Sequence, residues 1–191
     1  MDLAPWHLRA AIDSLESGGL IACPTEAVWG LSCDPLNREA CTRLLAIKQR
    51  PWEKGLILVA ADLEQLEPFI DIPSNNARKR ATATWPGPAT WIFPATELTP
   101  MWVSGDHDGV AVRVSNHPVV RALCRRFGGP LVSTSANPSG REPARSSFEV
   151  RRYFLKPGFA PGIDLIVPGA LGGLAKPTTI RDAATGHILR R

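Results

Sequence analysis

Apolar residues recur along this chain at two spacings. Some segments have the spacing typical of helices and others have the spacing typical of strands. The first helical segment begins at Pro5 and stops at Gly18 and Gly19, because proline suits the first turn of a helix and glycine suits its end. Asn37 can cap a second helix that continues through Arg50. The pattern predicts helices near residues 5–17, 37–50, 62–69, 74–84, 117–127 and 146–155.

Short runs rich in valine, isoleucine and leucine predict strands between these helices. They lie near residues 20–23, 55–60, 89–94, 109–114, 130–135, 163–167, 178–181 and 187–190. Several connections are too short for a helical crossover, so some neighbouring strands should be antiparallel. We therefore expect an α/β fold with a twisted mixed β-sheet flanked by helices.

The size and composition of the chain favour one globular domain. A length of 191 residues suits a single hydrophobic core, so we expect one domain over residues 1–191. Hydrophobic residues make up 44% and charged residues 21%, which is typical of soluble proteins. We find no apolar run long enough to cross a membrane and no signal peptide, and we expect a cytoplasmic protein without membrane contact.

The cysteines and histidines give no metal-binding pattern. Cys23, Cys33, Cys41 and Cys124 form no C-x-x-C pair, and the four histidines are scattered. We expect no metal site and no disulfide framework. The net charge is +4, with basic clusters at residues 78–80, 125–126 and 151–152. These clusters are either solvated helix faces or a possible RNA contact.

Two polar segments are the candidates for a ligand site. Lys48 and Arg50 stand near the predicted end of a helix, where the next residue, Pro51, forces the backbone to leave it. Such a cation pair suits an anion, although cations in a last turn also favour the helix dipole.

The second segment follows a predicted buried strand. If the backbone stays extended, Ser133, Ser135 and Asn137 share one face. Serines and asparagines before a proline are also ordinary turn residues. Two cations together with hydroxyl and amide groups can bind a polyphosphate and a small polar substrate without a protein nucleophile.

Arg113 places a charge inside an apolar strand. A buried strand seldom carries an unused charge, so Arg113 is either a ligand-binding residue or lies on an exposed edge of the sheet.

Six motifs in a fixed order resemble one known family. They are Pro24 to Leu31, Lys48 to Pro51, Trp85 to Pro88, Ala111 to Val114, Ser133 to Asn137 with Ser139 and Gly140, and Pro177 to Asp182. Together they resemble the YrdC family in its short, single-domain bacterial form, over roughly residues 8–190. The resemblance implies the YrdC-like α/β fold with an open, concave, basic site.

The resemblance also implies a reaction. Members of this kind are nucleotidyltransferases that use L-threonine, bicarbonate and ATP to make threonylcarbamoyl-AMP and pyrophosphate. The product supplies the N6-threonylcarbamoyl group of adenosine 37 in tRNAs that read ANN codons. Mg²⁺ is expected as a companion of ATP, without a dedicated set of protein ligands. Partner proteins that transfer the threonylcarbamoyl group to tRNA would act downstream.

Motif by motif, the resemblance assigns roles to nine residues. Lys48 and Arg50 are expected to bind the triphosphate and to offset charge on the leaving pyrophosphate, which makes them the catalytic candidates. Ser135, Asn137 and Arg190 complete the expected ATP site. The threonine site is assigned to Arg113, for the carboxylate, and to the hydroxyls of Thr25, Ser133 and Thr178.

Two other functions remain open from the sequence. An RNA-binding module acting in ribosomal RNA maturation would use a basic face and no catalysis. A related carbamoyl-adenylating enzyme could act on another acceptor. A P-loop kinase is disfavoured, because the chain contains no G-x-x-x-x-G-K-[ST] motif.

Overall fold

The computed structural model describes residues 3–155, 162–175 and 178–190, and Pro177 of the last motif lies outside this part. The described residues contain six α-helices. These are α1 (Pro5–Glu16), α2 (Arg38–Lys48), α3 (Asn75–Thr82), α4 (Met101–Ser104), α5 (Pro118–Phe127) and α6 (Ser147–Phe154).

Nine strands in the described residues form one sheet. They are β1 (Ile21–Pro24), β2 (Trp29–Ser32), β3 (Ile57–Ala60), β4 (Ala89–Pro94), β5 (Gly109–Val114), β6 (Leu131–Ser135), β7 (Leu165–Ile166), β8 (Thr179–Asp182) and β9 (Ile188–Arg190). Their order is β7-β1-β2-β6-β3-β5-β4-β8-β9. Three neighbouring pairs, β1/β7, β3/β5 and β4/β8, are parallel and the others are antiparallel. The expected mixed α/β fold is confirmed.

Strand alternation divides the core into two layers. Leu58 of β3 lies in one buried cluster with Leu44 of α2, and its neighbour Val59 lies in the other. That second cluster contains Leu15 of α1 and Leu123 of α5. Because successive residues of a strand point to opposite faces, the sheet is covered by helices on both sides.

Local capping explains where several helices begin and end. The Asn37 side chain accepts a hydrogen bond from the Ala40 N–H (2.9 Å), as predicted from its position. Ser146 and Glu149 form a reciprocal capping box at the start of α6. Gly128 ends α5 in the left-handed region, with φ of 84°.

The predicted helix over residues 62–69 is wrong. This segment contains only a short 3-10 turn at Glu67–Phe69. Its backbone hydrogen bonds are mostly of the tighter i to i−3 type, such as Leu66 N–H to the Leu63 carbonyl (2.8 Å) and Phe69 N–H to the Leu66 carbonyl (2.8 Å), and Pro68 has no N–H to donate. Strand β2 and the short helix α4 were not predicted. The other predicted elements are present with shifts at their ends.

The described residues contain neither a membrane-spanning helix nor a metal-binding cluster. We find no helix whose length and apolar character would let it cross a bilayer. Nor does this part of the chain bring together three or more His, Cys, Asp or Glu side chains that could hold a metal ion. All four cysteines are buried and unpaired.

Candidate functional site

A cleft of about 360 Å³ opens over the middle of the sheet. Strands β2, β6, β3 and β5 are consecutive neighbours there, and their register places Ser135 beside Gly30 and Ser133 beside Ile57. Seven of the nine predicted site residues line the cleft, and they are Thr25, Arg50, Arg113, Ser133, Ser135, Thr178 and Arg190. Lys48 and Asn137 do not line it. The sequence motifs therefore converge on one place in the fold.

Lys48 and Arg50 diverge because the residue between them is left-handed. Gln49 ends α2 with φ of 51°, an uncommon conformation for a residue other than glycine. The Arg50 N–H then bonds back to the Leu45 carbonyl at 3.0 Å. As a result, Lys48 points into the protein and Arg50 points into the cleft.

Lys48 holds the loop that follows β6. Its side chain is buried, and its Nζ donates to the backbone carbonyls of Ser135 and Asn137, the latter at 2.9 Å. Burial, and then the nearby charge of Arg50, lower the pKa of Lys48 from its ordinary 10.5 to about 8. Lys48 therefore lies behind the cleft surface, where it fixes the backbone of two predicted ATP-binding residues.

Asn137 lies beyond the strand, so the expectation that it extends the face of Ser133 and Ser135 is wrong. Strand β6 ends at Ser135. The Ser135 hydroxyl donates to Asn137 Oδ1 at 2.6 Å, and Asn137 Nδ2 donates to the Arg141 carbonyl, also at 2.6 Å. Because the loop turns immediately after Ser135, Asn137 braces it internally.

Arg50 and Arg190 bring positive charge to the cleft, and no carboxylate of the described residues forms an ion pair with either of them. Arg50 Nη2 donates to the carbonyls of Lys54 (3.2 Å) and Gly55 (3.1 Å). Burial, followed by the charge of Arg190, lowers the pKa of Arg50. The ion pairs among the described residues involve other arginines. We call Lys48, Arg50 and Arg190 the cationic group.

The turn that receives Arg50 requires a glycine. Gly55 has φ of 60°, and a Cβ at this position would lie only 2.7 Å from the Ser104 carbonyl oxygen. This close approach fixes the two carbonyls that anchor the Arg50 side chain.

Arg113 lies on an interior strand, so the alternative that it occupies an exposed edge is wrong. Strand β5 is flanked by β3 and β4. Only 6% of Arg113 is exposed, and its Nη2 lies 3.4 Å from Glu26 Oε2. Its Nη1 lies 3.4 Å from Thr178 Oγ1. We call Glu26 and Arg113 the balanced pair, because their opposite charges are buried together.

The three predicted hydroxyl groups lie around the balanced pair. Thr25 Oγ1 donates to the Val28 carbonyl (2.7 Å) in the turn between β1 and β2, and Thr178 Oγ1 lies 3.1 Å from Thr90 Oγ1. Gly30 keeps space open between Thr25 and Ser133, because a Cβ there would come within 3.1 Å of Thr25 Cγ2. The hydroxyls thus line a small polar space.

The sequence analysis assigned no role to Glu26, which lies within the motif Pro24 to Leu31. Burial acts to raise the pKa of Glu26, but Arg113 and a hydrogen bond from Ser115 outweigh it and hold the pKa below its ordinary value. The sequence does contain a signal that points to the pairing of Glu26 with Arg113. A lone carboxylate and a lone guanidinium, each in an apolar stretch, both require a buried partner of opposite charge.

The arrangement combines two kinds of anion recognition. The cationic group suits a ligand with several negative charges, because its own charge is unbalanced. The balanced pair, with surrounding hydroxyls, suits a small ligand with one carboxylate. A site of this kind promotes a reaction by positioning its substrates and stabilising charge.

Comparison with known proteins identifies relatives over almost the whole chain. The family model Sua5_yciO_yrdC, described as "Telomere recombination", matches residues 13–191. Threonylcarbamoyl-AMP synthase of Halorhodospira halophila is 55% identical over 188 residues, which is 98% of this chain and 95% of that protein. The enzyme of the same name from Hahella chejuensis is 49% identical over 189 residues, covering 99% of this chain and all of that one (100%).

Solved structures support the same relationship. P. abyssi Sua5 complexed with L-threonine superposes with a TM-score of 0.87 at 32% identity, covering 95% of this chain and 52% of that one. E. coli YciO superposes with a TM-score of 0.84 at 27% identity, covering 96% of this chain and 88% of that one. This chain thus spans about half the length of the P. abyssi protein and nearly all of the two bacterial synthases. From its motifs, its fold and these matches, the chain belongs to the Sua5/YciO/YrdC family.

Proposed function

We propose that this protein is a threonylcarbamoyl-AMP synthase that uses ATP, L-threonine and bicarbonate. The observation that carries the proposal is that Arg50 and Arg190 of the cationic group and Arg113 of the balanced pair line one cleft. One ligand of this reaction is a polyphosphate and the other is an amino acid. The near full-length similarity to enzymes of that name supports the same conclusion.

The substrates themselves supply the nucleophile. The amine of threonine captures carbon dioxide derived from bicarbonate and forms a carbamate. A carbamate oxygen then attacks the α-phosphorus of ATP, the bond from this phosphorus to the β-phosphate bridging oxygen breaks, and pyrophosphate leaves. No protein nucleophile is needed, which agrees with the side chains that line the cleft.

In this proposal, Arg50 and Arg190 contact the phosphates directly. Ser135 adds a hydroxyl to the same ATP site, while Lys48 and Asn137 fix the loop and contribute charge and shape from behind. Growing charge on the leaving pyrophosphate is offset by the cationic group.

Threonine occupies the space around the balanced pair. Arg113 binds its carboxylate, and the hydroxyls of Thr25, Ser133 and Thr178 surround the rest of the molecule. We expect ATP to carry Mg²⁺ into the site with its phosphates.

The product is passed to partner proteins that transfer threonylcarbamoyl to adenosine 37 of tRNA, so we place the protein in the cytoplasm. The RNA-binding module without catalysis is not favoured, because the near full-length relatives carry the name of an enzyme. Direct RNA contact would add to this function through phosphate contacts that weaken with salt.

A coupled pyrophosphate assay with mass detection of the adenylate tests the proposal. Purified protein with ATP and Mg²⁺ should release pyrophosphate only when threonine and bicarbonate are both present, because the carbamate must form before it can attack. ADP should not form. Pyrophosphate release without threonine, ADP formation, or no turnover by a folded sample that binds ATP would refute the synthase function.

A further inference from the structure

Glu26 is a buried carboxylate that reaches the cleft only through Arg113. It is 6% exposed, and it does not line the cleft although its neighbours Thr25 and Ala27 do. One carboxylate oxygen, Oε2, faces Arg113 Nη2 at 3.4 Å, and the other, Oε1, accepts a hydrogen bond from Ser115 Oγ at 2.6 Å. Oε1 is therefore held by a hydrogen bond, whereas Oε2 makes an ion pair with Arg113 and no hydrogen bond.

Hydrogen bonds also hold the backbone around Glu26. The Leu174 N–H donates to the Glu26 carbonyl (2.9 Å), and the Gly172 N–H donates to the Thr25 carbonyl (3.0 Å). Ser115 Oγ also accepts from the His117 N–H (3.1 Å), which orients the hydroxyl toward Glu26. The carboxylate therefore cannot turn away to solvent.

Charge balance distinguishes Arg113 from the cationic group. A carboxylate with a lowered pKa is ionised at neutral pH, so Glu26 cancels the charge of the Arg113 guanidinium. The described residues provide no such carboxylate for Arg50 or Arg190. Phosphates carry more charge than a single carboxylate, and they gain more from an unbalanced cation.

We propose that Glu26 determines which anion Arg113 accepts. By balancing Arg113, it makes this position too weakly positive to compete for phosphate, and by fixing the guanidinium it presents a defined fork to the carboxylate of threonine. Phosphate groups are thereby directed to the cationic group. This inference rests on the proposed function, which assigns threonine to Arg113.

Removing the charge of Glu26 should change the selectivity of the cleft. In Glu26→Gln the amide has nearly the shape of the carboxylate, but Arg113 becomes an unbalanced cation whose fork has lost its partner. Phosphate should then enter the threonine position. A residue that served only for packing would alter stability without creating a new anion competitor.

Calorimetric titration of threonine tests the inference, with the ATP site saturated by a non-hydrolysable ATP analogue. In the wild type, excess inorganic phosphate should leave the threonine Kd unchanged. In Glu26→Gln, phosphate at about ten times its own Kd for this position should raise the apparent threonine Kd by roughly tenfold, because a competitor raises it in proportion to its concentration over its own Kd.

Ser115→Ala is the matched control, because it removes a hydrogen bond to Glu26 and keeps the charge. Threonine binding should weaken modestly in this variant without competition from phosphate. The inference would be overturned if phosphate competed with threonine equally in Glu26→Gln and Ser115→Ala. It would also be overturned if phosphate did not compete in a folded Glu26→Gln.

The wild type also tests the inference by itself, whether or not Glu26→Gln folds. Phosphate that displaces threonine from the wild-type protein would overturn the role of Glu26. A wild type that binds no threonine at all would instead overturn the proposed function, so the two failures are distinguishable.

Discussion

Arg50 of the cationic group and Arg113 of the balanced pair line the same cleft, but their charges are compensated differently. Arg113 has a carboxylate at 3.4 Å, whereas the hydrogen-bond partners of Arg50 among the described residues are the neutral carbonyls of Lys54 and Gly55. A pair of opposite charges offsets much of the cost of burial, while an unbalanced cation leaves an attraction for ligands. The charge of Arg113 is compensated by Glu26, whereas the charge of Arg50 remains available to a ligand.

The largest expected effect concerns the unbalanced cation. Arg50→Ala should lower kcat/KM for ATP by roughly two to four decades, the scale of losing an electrostatic stabiliser. Steady-state pyrophosphate release measures this loss. Arg126→Ala, at an exposed position in the last turn of α5, is the control and should keep wild-type activity. Near-wild-type turnover in Arg50→Ala would remove the distinction between the two arginines.

A smaller, more selective effect is expected at the balanced pair. Arg113→Lys keeps the charge beside Glu26 but loses the planar fork, so the KM for threonine should rise by roughly tenfold to a hundredfold. The KM for ATP should not change. Initial rates measured against each substrate in turn separate the two constants. An equal rise in both would mean that Arg113 does not serve one ligand alone.

Raising the pH should weaken the cationic group without affecting the balanced pair. Lys48 has a pKa of about 8, so it is charged below this pH and becomes neutral above it. Binding of a non-hydrolysable ATP analogue should weaken by up to about tenfold between roughly pH 7 and pH 9. Calorimetry on the wild type and on Lys48→Met measures the difference. If the pH dependence is the same in Lys48→Met, the titrating group is another residue.

The smallest predicted effect tests a neutral group near the balanced pair. Ser133→Ala should weaken threonine binding by roughly threefold to tenfold, since one neutral hydrogen bond contributes about 0.5–1.5 kcal/mol. Binding of the ATP analogue should stay the same. Direct titration of both ligands measures the contrast, and weaker ATP binding with unchanged threonine binding would move Ser133 to the other part of the site.

Local sequence patterns predicted the elements whose ends have clear chemical signals. Asn37 at the start of α2 is one example, and the β-branched run of β5 is another. Strand β2 gave no such signal, because four residues with a glycine in the second position are too short for a period to emerge. The wrong helix at residues 62–69 has the opposite cause: its apolar spacing suited a helix, but Pro68 lacks an N–H and the backbone hydrogen bonds around it are of the shorter 3-10 type.

The site was predictable as a set of residues and not as a geometry. The motifs named Arg50, Arg113 and Ser133, and these residues line one cleft, while their roles remain predictions. Sequence spacing could not reveal that Gln49 turns Lys48 away from the cleft surface, because that depends on a single backbone angle. Nor could it pair Glu26 with Arg113, since their contact depends on the arrangement of the whole sheet.

The order of the strands also has a consequence for biosynthesis. The cleft takes residues from Thr25 through to Arg190, and β8 can insert beside β4 only after residues 179–182 have been synthesised. A ligand stabilises a protein only through a site that already exists. During translation, therefore, ATP and threonine cannot assist the emerging polypeptide, and early folding must depend on the core alone until residues 178–190 leave the ribosome.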